Sequence, residues 1–144
     1  MDSNSKTGTG ELSVSQAWAL VRSVPVGRLA VVVDGEPDIF PLNHLVDHGT
    51  VVMRTAPGTK LTAALGHRVA FEVDGYDSEA GSAWSVVIKG IATSVTQLHD
   101  VVHDVQLPLF PWQAGAKPNV IRIEPTSVTG RQFQVAAGAR TPSG

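Results

Sequence analysis

The sequence predicts a mainly β protein built as a small closed barrel. Three observations carry this reading. The β-branched runs Val31-Val32-Val33, Val51-Val52 and Ser85-Val86-Val87-Ile88 suit pleated strands. Short apolar segments recur at roughly regular spacing, with Gly, Pro and Asp turn signals between them. Helical patterning is confined to three brief stretches, too few to alternate with strands as a parallel α/β sheet requires. Closure would also remove exposed edges from so Val-rich a sheet.

Taken in order, Ser13 or Ser15 caps a short helix that runs to about Val24. Pro25 ends it, because the residue before proline is driven out of the helical region. Arg28 to Asp34 is a strand, Gly35-Glu36-Pro37 a turn, and Ile39 to Val46 the next strand. Asp47-His48-Gly49 turns the chain into a third strand, Thr50 to Thr55. Ala56-Pro57-Gly58-Thr59 opens a helix over Lys60 to Leu65, closed by Gly66. Arg68 to Asp74 is a fourth strand, Asp77 to Ser82 a polar loop, and Ala83 to Val95 a long fifth strand. Lys89 and Gly90 mark a solvent side and a bulge in it. Gln97 to Val105 reads as a helix, followed by an irregular stretch with Pro108, Pro111 and Pro118. Val120 to Ile123 and Ser127 to Gln134 are the last strands. Residues 1–11 and 135–144 read as flexible tails around one domain, 12–134.

The chain has 144 residues, which suits one domain with a core of its own. Hydrophobic residues make up 42% and charged ones 17%, which excludes a disordered chain. The formal charge of −2 offers no basic field for a polyanion, so nucleic-acid binding is not expected. With no cysteine there is no disulfide framework, thiolate metal site or thiol nucleophile. No apolar run approaches a membrane helix and no targeting signal is visible. The expectation is a soluble cytoplasmic protein. Its low charge hints at surface hidden in an oligomer.

Three stretches could carry chemistry. Arg54 and Lys60 flank the Gly58 turn, with the Thr55 and Thr59 hydroxyls between them and free N–H groups at the helix start. Such a set suits a phosphate monoester, although it is not a P-loop. By spacing alone, an ordinary capped helix with two solvated cations explains it slightly better. Asn43 stands in the apolar run Phe40 to Leu45, where its amide either meets a polar ligand edge or is satisfied by a neighbouring turn. Trp84, beside Ser85, either stacks on a planar ligand or fills the core, the commoner role. His99 and His103 share a helix face without HExxH, so a solvated face is the better reading than a metal site. No GxSxG elbow supports a hydrolase.

The order of these motifs resembles the pyridoxamine 5′-phosphate oxidase-like family of flavin-binding split barrels. The closest likeness is to short actinobacterial and nitroimidazole-resistance-like members. The residues that carry it are Val26-Gly27-Arg28-Leu29-Ala30, Pro41-Leu42-Asn43-His44, Arg54 to Leu61, Arg68 to Asp74, Trp84 to Gly90, Pro111-Trp112, Val120 to Pro125 and Val128-Thr129-Gly130.

The resemblance implies a six-stranded antiparallel split β-barrel with a few short helices, paired as a homodimer with FMN at the interface. It places the FMN phosphate on Arg54, Thr55, Thr59 and Lys60, with Ala56 and Leu61 of the same segment also binding the cofactor, and the ring beside Pro41, Leu42 and Asn43. Trp84 and Ser85 would line the same groove, and Trp112 and Arg122 would reach across the interface. It implies hydride transfer to or from a small organic substrate, with His44 a proton donor or a plain strand histidine. The alternatives are a deazaflavin-dependent reductase and a flavin binder without turnover. The Arg/His-rich C-terminal segment of true pyridoxamine phosphate oxidases is missing, which argues against that substrate.

Overall fold

The computed structural model describes residues 10–55, 60–95 and 119–135. Along the chain run β1 (Gly10–Leu12), α1 (Val14–Ser23), β2 (Val26–Val33), β3 (Glu36–Asp47), β4 (Thr50–Thr55), a 3₁₀ helix (Lys60–Ala64), β5 (Arg68–Asp77), β6 (Ser82–Ser94) and β7 (Asn119–Gln134). Every pairing between strands is antiparallel. The order β7-β4-β3-β2-β5-β6 closes on itself through β6–β7, so six strands form a ring. β1 adds to β7 beyond the point where β4 leaves it. The fold is therefore the split barrel the sequence implied, with one short strand more.

The hairpins follow from turn chemistry. Asp34-Gly35 and His48-Gly49 all have positive φ. That is the two-residue turn whose twist matches the strands it joins. α1 begins where Ser13 Oγ accepts from the Gln16 N–H at 3.1 Å and Gln16 Oε1 accepts from the Ser13 N–H at 2.9 Å. This reciprocal cap selects Ser13 over Ser15.

Several boundaries differ from expectation. Gly10 and Glu11, expected in a tail, pair with Gln132 and Arg131. β3 starts at Glu36 and carries Pro37 and Pro41; both sit where the strand pairs with β2 alone, the place a strand tolerates proline. The helix expected after the Gly58 turn is a five-residue 3₁₀ helix, since little chain remains before Gly66 turns at φ +84°. The two last strands are one. Lys89 pairs with Ser127 and Gly90 with Pro125, so Thr126 is the extra residue of a bulge and Pro125 does not break the strand. The sequence placed this bulge correctly at Gly90. A Cβ at Gly90 would overlap the Glu124 carbonyl.

Inward side chains fill the ring. Leu29, Val31, Val51, Met53, Phe71, Val73, Val86, Ile88, Ile121 and Ile123 are buried there, with Ala17 and Val21 of α1 closing one end. The helix expected over Gln97 to Val105 lies outside the described residues. No helix among the described residues is long and apolar enough to cross a membrane.

Candidate functional site

The β3–β4 ladder runs from Asp47↔Thr50 to His44↔Met53 and stops. Beyond it β3 continues back through Asn43, Leu42 and Pro41, paired only with β2. β4 continues through Arg54 and Thr55, paired only with β7. The two strands part here. One wall of the opening is the unpaired backbone edge of Pro41, Leu42 and Asn43; the other is Arg54 and Thr55. Such an edge carries N–H and C=O groups that need partners.

Thr55 is buried, and its hydroxyl has no hydrogen-bond partner among the described residues. Burial lowers the pKa of the Arg54 guanidinium below its ordinary value. The two side chains leave β4 on opposite faces, Thr55 on the side of Val51 and Met53 and Arg54 on the side of Val52 and Val120. A cation and an unsatisfied buried hydroxyl each favour a group with acceptor oxygens. Lys60 opens the 3₁₀ helix; Ala56 and Thr59 lie outside the described residues. Leu61, expected at the cofactor, packs in the core with Ala64. Leu42 also packs against the core.

Trp84 and Ser85 are elsewhere. β7 alone lies between β4 and β6 on one side of the ring. Arg54, however, pairs with Val120 near the start of β7 and Trp84 with Gln132 near its end, so the two residues lie at opposite ends of that strand. Trp84 packs against the core and over Gly75, while Ser85 pairs with Asp74 and Arg131. One chain does not bring them to the β3–β4 opening.

His44 is no proton donor to an outer face. It is buried, its Nε2–H donates to the Val21 carbonyl at 2.9 Å, and its ring meets Phe71 edge-on at 4.9 Å. Desolvation lowers its pKa against these backbone hydrogen bonds, which keeps it neutral. It ties α1 to the barrel.

Arg122, expected to reach a second subunit, is engaged within its own chain. Its Nη1 donates to Asp47 Oδ2 at 3.0 Å and to Thr50 Oγ1 at 2.6 Å. Asp47 is only 4% exposed, and His48 Nδ1 lies 2.8 Å from its other oxygen. Residues 47 and 122 are far apart in sequence, and no local pattern announces the pair. The same holds for Arg28, whose Nη1 lies 3.1 Å from Glu72 Oε1 and 3.2 Å from Asp74 Oδ2 on the outer face of β2 and β5. Partial burial pushes the Glu72 carboxyl up to about 7, helped by its hydrogen bond to Asp74 and by Asp74's charge, and opposed by Arg28. Among the described residues no cluster could hold a metal. Trp112, His99 and His103 lie outside them.

The profile of the pyridoxamine 5′-phosphate oxidase family matches residues 13–132. The chain belongs to this family. An uncharacterised protein of Mycobacterium tuberculosis is 38% identical over 138 residues, 92% of this chain and 89% of that one. The FAD-binding protein of Mycobacterium smegmatis superposes with a TM-score of 0.78 at 40% identity, over 88% of this chain and all of that one. A FAD-binding protein of Mesorhizobium loti, 24% identical, shares the fold with a TM-score of 0.73 over 88% of this chain and 99% of that one. The ring described above is the split barrel of this family.

Proposed function

We propose that the chain is a flavin-nucleotide-binding protein whose cofactor lies along the β3–β4 opening, and that it is an oxidoreductase acting on a small organic molecule. The observation that carries this is the parting of the two strands. It leaves an unpaired backbone edge opposite a strand end that carries a partly desolvated cation on one face and an unsatisfied buried hydroxyl on the other. These residues fit a phosphate-bearing flavin. Arg54, with Thr55, Thr59 and Lys60, would hold the phosphate of FMN. The edge of Pro41, Leu42 and Asn43 would pair with the polar rim of the ring.

When bound, the flavin supplies hydride transfer, so the protein's own task is to orient the ring, hold the phosphate and keep water out. That task needs no acid–base pair, which suits a site without one. FAD is the second reading, because the M. smegmatis relative, 40% identical, is a FAD-binding protein. FAD contains the FMN half and uses the same opening.

A homodimer belongs to the same proposal. Val26, Val32 and Ile39 are 46%, 61% and 62% exposed on the outer face of β2 and β3 around Arg28, apolar surface a second copy would cover.

The test is to purify the full chain, release any bound nucleotide and identify it by mass. The apoprotein is then titrated with FMN, FAD and deazaflavin. FMN or FAD bound one per chain is the expected result; binding of none overturns the proposal. Sedimentation at micromolar concentration should show a dimer.

A further inference from the structure

A second feature opens beside Asn43. A groove of about 300 Å³ lies between the end of α1 and the outer side of β3, lined by Arg22, Ser23, Val24, Pro25, Asn43 and Leu45 with the backbone of His44. Its size sits at the lower end of small-molecule sites.

Both walls are fixed. The His44 N–H donates to the Pro25 carbonyl at 3.0 Å, and the His44 ring donates to the Val21 carbonyl at 2.9 Å. These bonds hold the α1–β2 connection against β3, so the groove exists before any ligand arrives. Preorganisation of this kind lowers the ordering cost of binding.

Its chemistry has one sign. Among the described residues Arg22 is the sole charged side chain of the lining, and none of them brings a carboxylate to it. Among the described residues none pairs with Arg22. Val24, Pro25 and Leu45 give an apolar floor, and Asn43 offers an amide. The Ser23 hydroxyl donates to the Leu20 carbonyl at 2.7 Å, which leaves its oxygen an acceptor.

We infer that this groove is the substrate site, and that it takes a small, flat organic carboxylate. The carboxylate would meet the Arg22 fork, where two parallel N–H donors match two oxygens. The apolar body would lie on Val24, Pro25 and Leu45. This rests on the flavin reading only in calling the ligand a substrate, since Asn43 belongs both to the groove and to the proposed ring edge. A cation in the last turn of α1 also suits the helix C-terminus, and the test separates that role from ligand binding.

The full-length protein is titrated with benzoate and with benzamide, its uncharged counterpart, by calorimetry, with and without FMN. Benzoate should bind at least tenfold more tightly than benzamide, the scale of one charge-assisted hydrogen bond. Arg22→Gln should abolish that preference and Arg22→Lys should keep part of it. Unchanged unfolding midpoints would show that the helix end is intact. Equal binding of the two probes, binding of neither, or an unaltered preference in Arg22→Gln overturns the inference. Benzoate binding without any FMN binding would retain the anion site and discard the flavin reading. FMN binding without benzoate would do the reverse.

Discussion

The β3–β4 opening and the β5–β6–β7 wall are made from the same kind of strand, yet they differ in one respect. At the opening the ladders stop, and backbone edges are left beside Arg54 and Thr55. In the wall, pairing runs unbroken from Arg68↔Ile91 to Asp77↔Ser82, and β7 continues it on the other side of β6 with one bulge. A strand paired on both sides has no backbone group to spare. This holds for β6, which is paired on both sides, whereas β5 meets β2 only over residues 70–72. The backbone groups free for a ligand lie where pairing fails. Trp84, in the wall, has the position of a packing residue.

The largest effect is expected at the opening. Arg54→Ala with Lys60→Ala should weaken flavin-nucleotide binding by about a hundredfold or more, the scale of two charged hydrogen bonds, with an unfolding midpoint close to wild type. Trp84→Phe should change affinity far less. If Trp84→Phe weakens binding equally, the contrast between the regions fails within one chain. A mixture then decides whether a second copy supplies Trp84. In hybrid dimers of the Arg54 and Trp84 variants, one composite site would carry both defects and the other neither. Recovered binding in the mixture would show sites built from two chains; none would show that each chain builds its own.

Next comes the polar cluster on the outer face of β3, β4 and β7. Arg122→Ala leaves the Asp47 carboxylate buried without its guanidinium. Stability should fall by about 3 kcal/mol, as when one partner of a buried pair is removed; urea unfolding measures it. Flavin-nucleotide affinity should persist, because this cluster is not part of the opening.

In the wall, Gly75→Ala puts a methyl within 2.6 Å of the Trp84 ring. The ring must shift, at about 1–2 kcal/mol for an overpacked site. Tryptophan emission should change with it. A change in stability without a change in flavin affinity would confirm the wall as packing alone.

These contrasts bear on what a sequence can reveal. The strands and their turns were legible because alternation and Asp-Gly or His-Gly pairs are local signals. The bulge at Gly90 was legible for the same reason. The continuous β7 was not: Pro125 looks like a break until the bulge at Thr126 absorbs it. Arg54, Thr55 and Asn43 were legible as a candidate set, and the structure places them around one opening. His44 is the plain strand histidine that was one of its two readings, while the burial of Leu61 was not legible, because a residue's face depends on where the 3₁₀ helix packs. Asp47–Arg122 and Arg28–Glu72 were invisible, since only barrel closure makes such residues neighbours.

The smallest effect lies between the two regions, where Arg28 on β2 pairs across to Pro41 of the opening and to Glu72 beside the wall. Glu72 titrates at about 7 in the folded chain, above its ordinary value of 4.5. The folded protein therefore holds this proton more tightly than the unfolded one does. Stability from this group is fully present below about 4.5 and declines as pH rises through about 7. Glu72→Gln keeps the uncharged shape at every pH. Its unfolding midpoint should match wild type at pH 5 and exceed it slightly at pH 8. Both carboxylates remain partly exposed, so solvent screens the effect and the gain should be modest. A Glu72→Gln protein less stable than wild type at pH 8 would instead mean that Arg28 holds the ionised carboxylate firmly. The outer face of β2 and β5 would then be an ion-paired surface rather than a proton-holding one.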